Sequence, residues 1–275
     1  PCNPSHLMID SIMTSIVAAV PAELPGMFGN WETILPSASL ALGAILVMIV
    51  NLIFRKPSED VQLALFFCAL GGALLSLITS FQQVSQPEVL AFAGTLKRDG
   101  FGAFLGIIIA ISTLVTILTA YGYHKRIQVD IGDFLTLILL SASGMVLLSY
   151  ANDLITIFVA IELMSIPIYI LVGADRRNPK SVEGSVKYLI LGALSSAFLL
   201  LGFVLLYGAF AIVHDATGTP HSTLLTSLAP LGAVAESQAA LPIAILALGL
   251  IIISFGFKLG AVPFHQWVPD VYTGA

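Results

Sequence analysis

LITIFVAIELMSIPIYILVG, residues 154–173, is a twenty-residue run with one formal charge, Glu162, near its midpoint. At 1.5 Å per residue such a run reaches about 30 Å, the thickness of a bilayer's hydrocarbon core. A carboxylate at that depth costs several kcal/mol unless it is paired or hydrated, so Glu162 must face protein, a partner or water rather than lipid. The rest of the chain is of the same kind. Hydrophobic residues make up 57% of 275 and charged residues 10%, with a mean hydropathy of +0.98. A soluble domain carries about a quarter charged residues, so the composition specifies an integral membrane protein of the all-α class, a polytopic helix bundle.

Seven runs have spanning length: Leu35–Phe54, Val61–Phe81, Phe101–Tyr121, Phe134–Tyr150, Leu154–Val172, Val186–Val213 and Leu241–Phe264, the last interrupted near its end. The shorter segment Leu7–Val20 contains Asp10 and stops before Pro21, which reads as a surface helix. This divides the chain into an external segment with that helix (1–34), three peripheral spans (35–130), and four spans forming an incomplete repeat (131–275). Residues 151–153 are too few for anything but a tight turn, so the fourth and fifth spans are antiparallel neighbours. The stretch His214–Gln238 reads as an outer loop with a short helix or hairpin of its own.

Basic residues orient the spans. Arg55, Lys56, Lys125, Arg126, Arg176, Arg177 and Lys180 fall on one side, and only Lys97 and Arg98 on the other. The positive-inside rule then places the amino terminus outside, in a bacterial cytoplasmic membrane or, alternatively, an organellar one.

Besides Glu162, two charges lie within spans. Lys187 follows the basic loop near the start of the sixth span. The hairpin between spans five and six allows it to face Glu162, although snorkelling to the headgroups, or pairing with Glu183 one turn earlier, would also satisfy it. Lys258 lies deep in the seventh span, bracketed by Gly256, Gly260 and Pro263. Pro263 lacks an N–H and clashes with the carbonyl of Leu259, predicting a kink or break beside the lysine. Irregular backbone at membrane depth is tolerated only against protein or water, which favours Lys258 as a site residue over an interfacial lysine. His265 comes seven residues later, on the same face if the helix continues, and imidazole exchanges protons near neutral pH. With Trp267 it also matches an ordinary interface pattern. Asp270 and Tyr272 read as caps or anchors outside the hydrocarbon. Ser165, Ser185, Ser195, Ser196 and Ser254 supply hydroxyls that either line a wet path or permit close helix packing.

A buried carboxylate, two amines and a histidine form a plausible proton chain in which each group's charge acts on the next. Separating a Glu162–Lys187 pair would drive a proton or positive charge towards Lys258. Catalytic chemistry has no support. The chain has no nucleotide-binding glycine motif, no cysteine ladder for iron–sulfur clusters and no haem-spaced histidines, and its two cysteines, Cys2 and Cys68, lack metal spacing. Nor is there a nucleic-acid patch. The competing readings are a cation/proton antiporter subunit and a structural membrane subunit with a static charge network.

Three stretches together resemble a known family. VAIELMSIPIYILVG with Glu162, VEGSVKYLILGALSSAFLLLG with Lys187, and GFKLGAVPFHQWVPDVYTGA with Lys258 are similar to the antiporter-like membrane subunit N (subunit 2) of respiratory complex I, the proton-pumping NADH:quinone oxidoreductase. LPSASLALGAILVMIVNLIF is a looser match. The resemblance implies a non-redox subunit of that translocase. Glu162 and Lys187 would be the glutamate–lysine pair of its proton half-channel, Lys258 the lysine at its broken helix, and His265 a link to the central polar axis. It also implies that FMN, iron–sulfur clusters, NADH and quinone are handled by partner subunits. Neighbouring antiporter-like subunits, small helical subunits and lipid would surround this chain. Family members have about fourteen helices in two inverted repeats, so the chain is expected to be a fragment lacking the second repeat and its central lysine.

Overall fold

The computed structural model describes residues 29–54, 58–127, 129–217, 222–225 and 231–274. The expected helix at Leu7–Val20, together with Cys2, Arg55 and Lys56, lies outside them. Seven described helices are long and apolar enough to cross a membrane: α1 (Leu35–Ile53), α2 (Glu59–Val84), α3 (Gly100–Ile127), α4 (Ile131–Tyr150), α5 (Leu154–Val172), α6 (Pro179–Thr217) and α8 (Ala240–Lys258). Two short helices, α7 (Leu231–Glu236) and α9 (Val268–Gly274), complete the all-α bundle. Among the described residues one sheet forms, a hairpin of β1 (Val89–Ala91) and β2 (Leu96–Arg98). Its strands are too short to carry a readable alternation, which is why no pattern in the sequence announces it.

The tight turn between α4 and α5 forms as its length requires. Asp153 caps α5, accepting from the backbone N–H groups of Ile155 and Thr156 at 3.0 Å each. Asp130 caps α4 in the same way, through Gly132 and Asp133. The hairpin docks on this turn: Asn152 donates its backbone N–H to the Thr95 carbonyl (2.9 Å) and its side-chain amide to the Gly94 carbonyl (2.8 Å). Lys97 on β2 lies 3.3 Å from Glu88, whose hydrogen bond and charge hold the ammonium above the usual lysine range. Of the outer loop, the described residues show a bridge between Asp153 and Leu224 and the short helix α7.

Several helices run a few residues beyond the expected bounds, and two boundaries that bear on the site differ most in consequence. The sixth helix begins at Pro179, seven residues before Val186. Asn178 is the reason. Its side chain accepts from the Lys180 N–H at 3.1 Å, so Asn178-Pro179 acts as an N-cap followed by proline at the first helical position. The seventh spanning helix, α8, ends at Lys258 instead of running on to Phe264. Gly260 has φ +65°, and the N–H groups of Gly260 and Ala261 donate to the carbonyls of Phe257 (3.0 Å) and Gly256 (2.8 Å). This is the paired i+3 and i+5 closure of a glycine-terminated helix, and Pro263 lies beyond it. The break beside the lysine is thus written by Gly260, with Pro263 following in the non-helical segment.

Gly260→Ala should therefore be costly. A side chain in the left-handed region costs about 1–2 kcal/mol, and a Cβ here would stand 2.9 Å from the Val268 methyl. The expected result is a lower thermal unfolding midpoint for the detergent-solubilised protein, and an unchanged midpoint would show that the helix end is specified elsewhere.

Small and hydroxylated residues bring the helices close, as they do in bilayers where lipid offers no hydrophobic drive for association. Ser37 on α1 and Ser143 on α4 each donate to the other's backbone carbonyl at 3.0 Å. Around them lies the main core, with Leu40, Leu65, Leu135, Leu139 and Val146 buried, and Cys68 packed partly buried against it. A second set of contacts joins α5, α6, α8 and α9. The outward faces remain apolar, as lipid or protein neighbours demand.

Candidate functional site

Glu162 is the ninth residue of α5, and its carboxylate accepts a short hydrogen bond from the Ser196 hydroxyl of α6. Lys258, the last residue of α8, approaches the same carboxylate at 3.9 Å and donates to the Ser165 hydroxyl of α5 at 3.1 Å. Ser165, one turn after Glu162, donates in turn to the Ile161 carbonyl at 2.7 Å. Ser195 and Ser254 pair hydroxyl to hydroxyl at 3.0 Å between α6 and α8. The adjacent serines of α6 therefore serve different neighbours, because consecutive helical residues point about 100° apart. Ser195 reaches α8 and Ser196 reaches α5. Together these groups form a closed polar knot at the seam of three helices, its two charges largely shielded, with the Lys258 side chain 12% exposed and that of Glu162 23%.

At 3.9 Å the attraction of the pair is on the order of 4 kcal/mol in a partly polarisable interior. Desolvation of the two charges opposes it with a similar magnitude. The balance leaves the ion pair neither locked nor absent. Backbone irregularity surrounds it. Pro167 lies inside α5 and deprives the preceding turn of an amide donor, while the Ser141 hydroxyl of α4 donates to the Met164 carbonyl at 3.0 Å.

Lys187 is not part of this knot. Its ammonium meets Asp270 at 2.6 Å and Glu183 at 2.7 Å. The expectation that it faces Glu162 fails on register. Ser196, the residue of α6 that touches Glu162, lies nine residues beyond Lys187, about 13 Å further along the helix, and Lys187 takes the i,i+4 partner Glu183 that its position also allowed. Aromatic rings fill the space between. Tyr169 meets Tyr188 edge-on at 4.6 Å, and Tyr188 stacks on Trp267 at 4.4 Å and 12°. The Ser185 hydroxyl donates to the Tyr169 carbonyl at 2.8 Å.

His265 also lies apart. It would share a face with Lys258 only in a continuous helix, and with α8 closed at Lys258 it is exposed in the non-helical segment, its carbonyl accepting from the Val268 N–H at 3.0 Å. Of the residues around the break, Gly256 packs beneath the Phe264 ring, and Gly260 supplies the positive φ. Asp270 was expected to act only as a cap or anchor, yet it is a direct ionic partner of Lys187. Nothing local in the sequence signals that pairing, since the two residues are 83 positions apart. Among the described residues no group of three or more His, Cys, Asp or Glu side chains is placed to hold a metal ion.

Residues 151–275, which contain every group of the knot, match the family model described as NADH:quinone oxidoreductase/Mrp antiporter, transmembrane. The NAD(P)H-quinone oxidoreductase subunit 2 of Synechocystis sp. is 37% identical over 249 residues, covering 90% of this chain and 45% of that protein. The NADH-quinone oxidoreductase subunit N of Desulfitobacterium hafniense is 37% identical over 238 residues, 86% of this chain and 44% of the relative. This chain thus spans a little under half the length of those relatives. Among solved structures, a chain of respiratory complex I from Thermus thermophilus with bound aureothin superposes with a TM-score of 0.65 at 29% identity, covering 87% of this chain and 47% of that one.

Proposed function

This chain belongs to the NADH:quinone oxidoreductase/Mrp antiporter-like family, among the subunit N/2 relatives, and on that premise we propose that it carries a proton half-channel of an NADH:quinone oxidoreductase. The observation that supports this reading most directly is the shielded Glu162–Lys258 pair closed by Ser196 and Ser165 at the end of a broken helix. Both groups exchange protons, and the charge of each acts on the other through a medium with little water to screen it.

In this reading Lys258 takes the place at Glu162 that Lys187 was expected to fill. A proton arriving at Glu162 cancels the counter-charge of Lys258, which then passes its own proton on. Ser195 and Ser254 keep α6 and α8 in register beside it. Lys187, with Glu183 and Asp270, forms a second ionic group nearer the start of α6, and His265 beyond the break is the next proton-exchanging side chain along the chain.

The redox chemistry, with its FMN, iron–sulfur clusters, NADH and quinone, belongs in this reading to partner subunits. The apolar outer faces meet lipid, neighbouring antiporter-like subunits and small helical subunits. The distribution of basic residues supports an amino terminus outside a bacterial cytoplasmic membrane.

Glu162→Gln tests the proposal. The amide keeps the shape and an acceptor for Ser196 but neither holds the charge nor exchanges the proton. The complex should assemble and oxidise NADH while moving markedly fewer protons per electron. A native proton-to-electron ratio in that variant removes Glu162, and the half-channel with it.

A further inference from the structure

We propose that Asp270 is a positioning residue, whose ion pair with Lys187 clamps the chain beyond the helix break onto α6 and thereby holds Lys258 within reach of Glu162. This rests on the proposed relay through that pair. Four observations form a continuous mechanical path. Lys187 of α6 binds Asp270 of α9 at 2.6 Å, with Glu183 completing the triad at 2.7 Å. Helix α9 lies directly on α6: a Cβ on Gly184 would stand 2.9 Å from the Asp270 carbonyl oxygen, and one on Gly274 would strike the Lys180 carbonyl. Trp267, at the entrance to α9, donates its indole N–H to the Phe257 carbonyl at 3.0 Å and stacks on Tyr188 of α6. Phe257 is the residue before Lys258. Movement of α9 is therefore passed through one hydrogen bond to the last turn of α8, where the ammonium sits 3.9 Å from Glu162.

The setting decides that the clamp matters. An ion pair on a water-exposed surface contributes little. Here Lys187 and Asp270 are 44% and 45% exposed, but their neighbours on α6, Val182, Val186, Leu189 and Ile190, present apolar side chains outward. In a membrane such a face meets lipid or another protein, where water does not compete for either charge and losing one partner leaves the other uncompensated.

The test uses the full complex in membranes, with proton movement per electron measured on assembled enzyme only. A misplacement of about 1 Å can cost up to ~100-fold in a positioned reaction, so Asp270→Asn should slow proton movement by about ten-fold. Asp270→Glu should restore most of it, and the double variant Lys187→Met/Asp270→Asn should be no slower than either single one. Native pumping in Asp270→Asn, losses that multiply in the double variant, or an Asp270→Glu variant as slow as the asparagine would overturn the assignment. Should the asparagine variant fail to assemble, the charge exchange Lys187→Glu/Asp270→Lys decides: recovered assembly and pumping support the clamp, and their absence refutes it. Glu162→Gln measured alongside keeps the two ideas apart. A pumping Glu162→Gln refutes the relay, whereas a defective Glu162→Gln beside a native Asp270→Asn refutes the clamp alone.

Discussion

Lys258→Arg should assemble normally and move protons about 100-fold more slowly, the scale on which a positioned proton-transfer group contributes. Arginine preserves the cation beside Glu162 and can donate to Ser165, so the ion pair survives. Its guanidinium, however, does not release a proton in the physiological range. Lys258→Met removes the charge as well and strands a buried carboxylate, a loss of about 3–5 kcal/mol that should also reduce the amount of assembled complex. Comparing the two separates the roles of charge and proton. The measurement is proton uptake per electron in membrane vesicles, normalised to assembled complex. An arginine variant that pumps at the native ratio would mean that residue 258 serves only as a fixed counter-charge, which is the static-network reading of these helices.

Gly144→Ala should strike stability and transport together. A methyl group on Gly144 of α4 would lie 2.5 Å from the Met164 amide nitrogen and 2.9 Å from both the Ala160 carbonyl oxygen and the Leu163 carbonyl carbon. All three are backbone atoms of α5 flanking Glu162, so no side-chain rotation relieves the clash and the helices must part. Overpacking of this kind costs about 1–3 kcal/mol. Separation would also break the 3.0 Å bond from Ser141 to the Met164 carbonyl and displace Glu162 from Ser196. The expected outcome is a lower thermal midpoint, less assembled complex and reduced pumping in what assembles. Gly249→Ala is the control, since among the described residues nothing beyond its own stretch of helix backbone lies within 4 Å of its Cβ position. Equal behaviour of the two variants would show that close approach of α4 and α5 is dispensable.

Much of the site was legible before any coordinates. Glu162 and Lys258 stood out because charges inside apolar spans demand partners, and both lie in one knot. The glycine–proline cluster after Lys258 announced a break, though it was Gly260 that terminated the helix. Ser195 and Ser196 were visible as hydroxyls but not as two separate contacts. The Asn178-Pro179 signal at the start of α6 extends that helix seven residues before Val186, and of the partners open to Lys187 the structure selects Glu183, adding Asp270 from beyond the break. Asp270 was legible only as a polar residue near a helix end, because its partner arrives from 83 positions away.

The amino-acid sequence by itself determined that this protein lies in a membrane, how many described helices cross it, and which charges lipid cannot accommodate. Those properties follow from the cost of exposing each residue to hydrocarbon, which depends on composition and local spacing alone. Only the tertiary structure decided which charges meet. Pairing depends on where each helix starts, how close glycine and serine let the helices approach, and how α9 folds back after the break. Those are sums of rise and rotation over many residues and of the paths of the connections between helices, which no local stretch of sequence contains, so Lys258 from α8 meets Glu162 while Lys187 turns to Glu183 and Asp270.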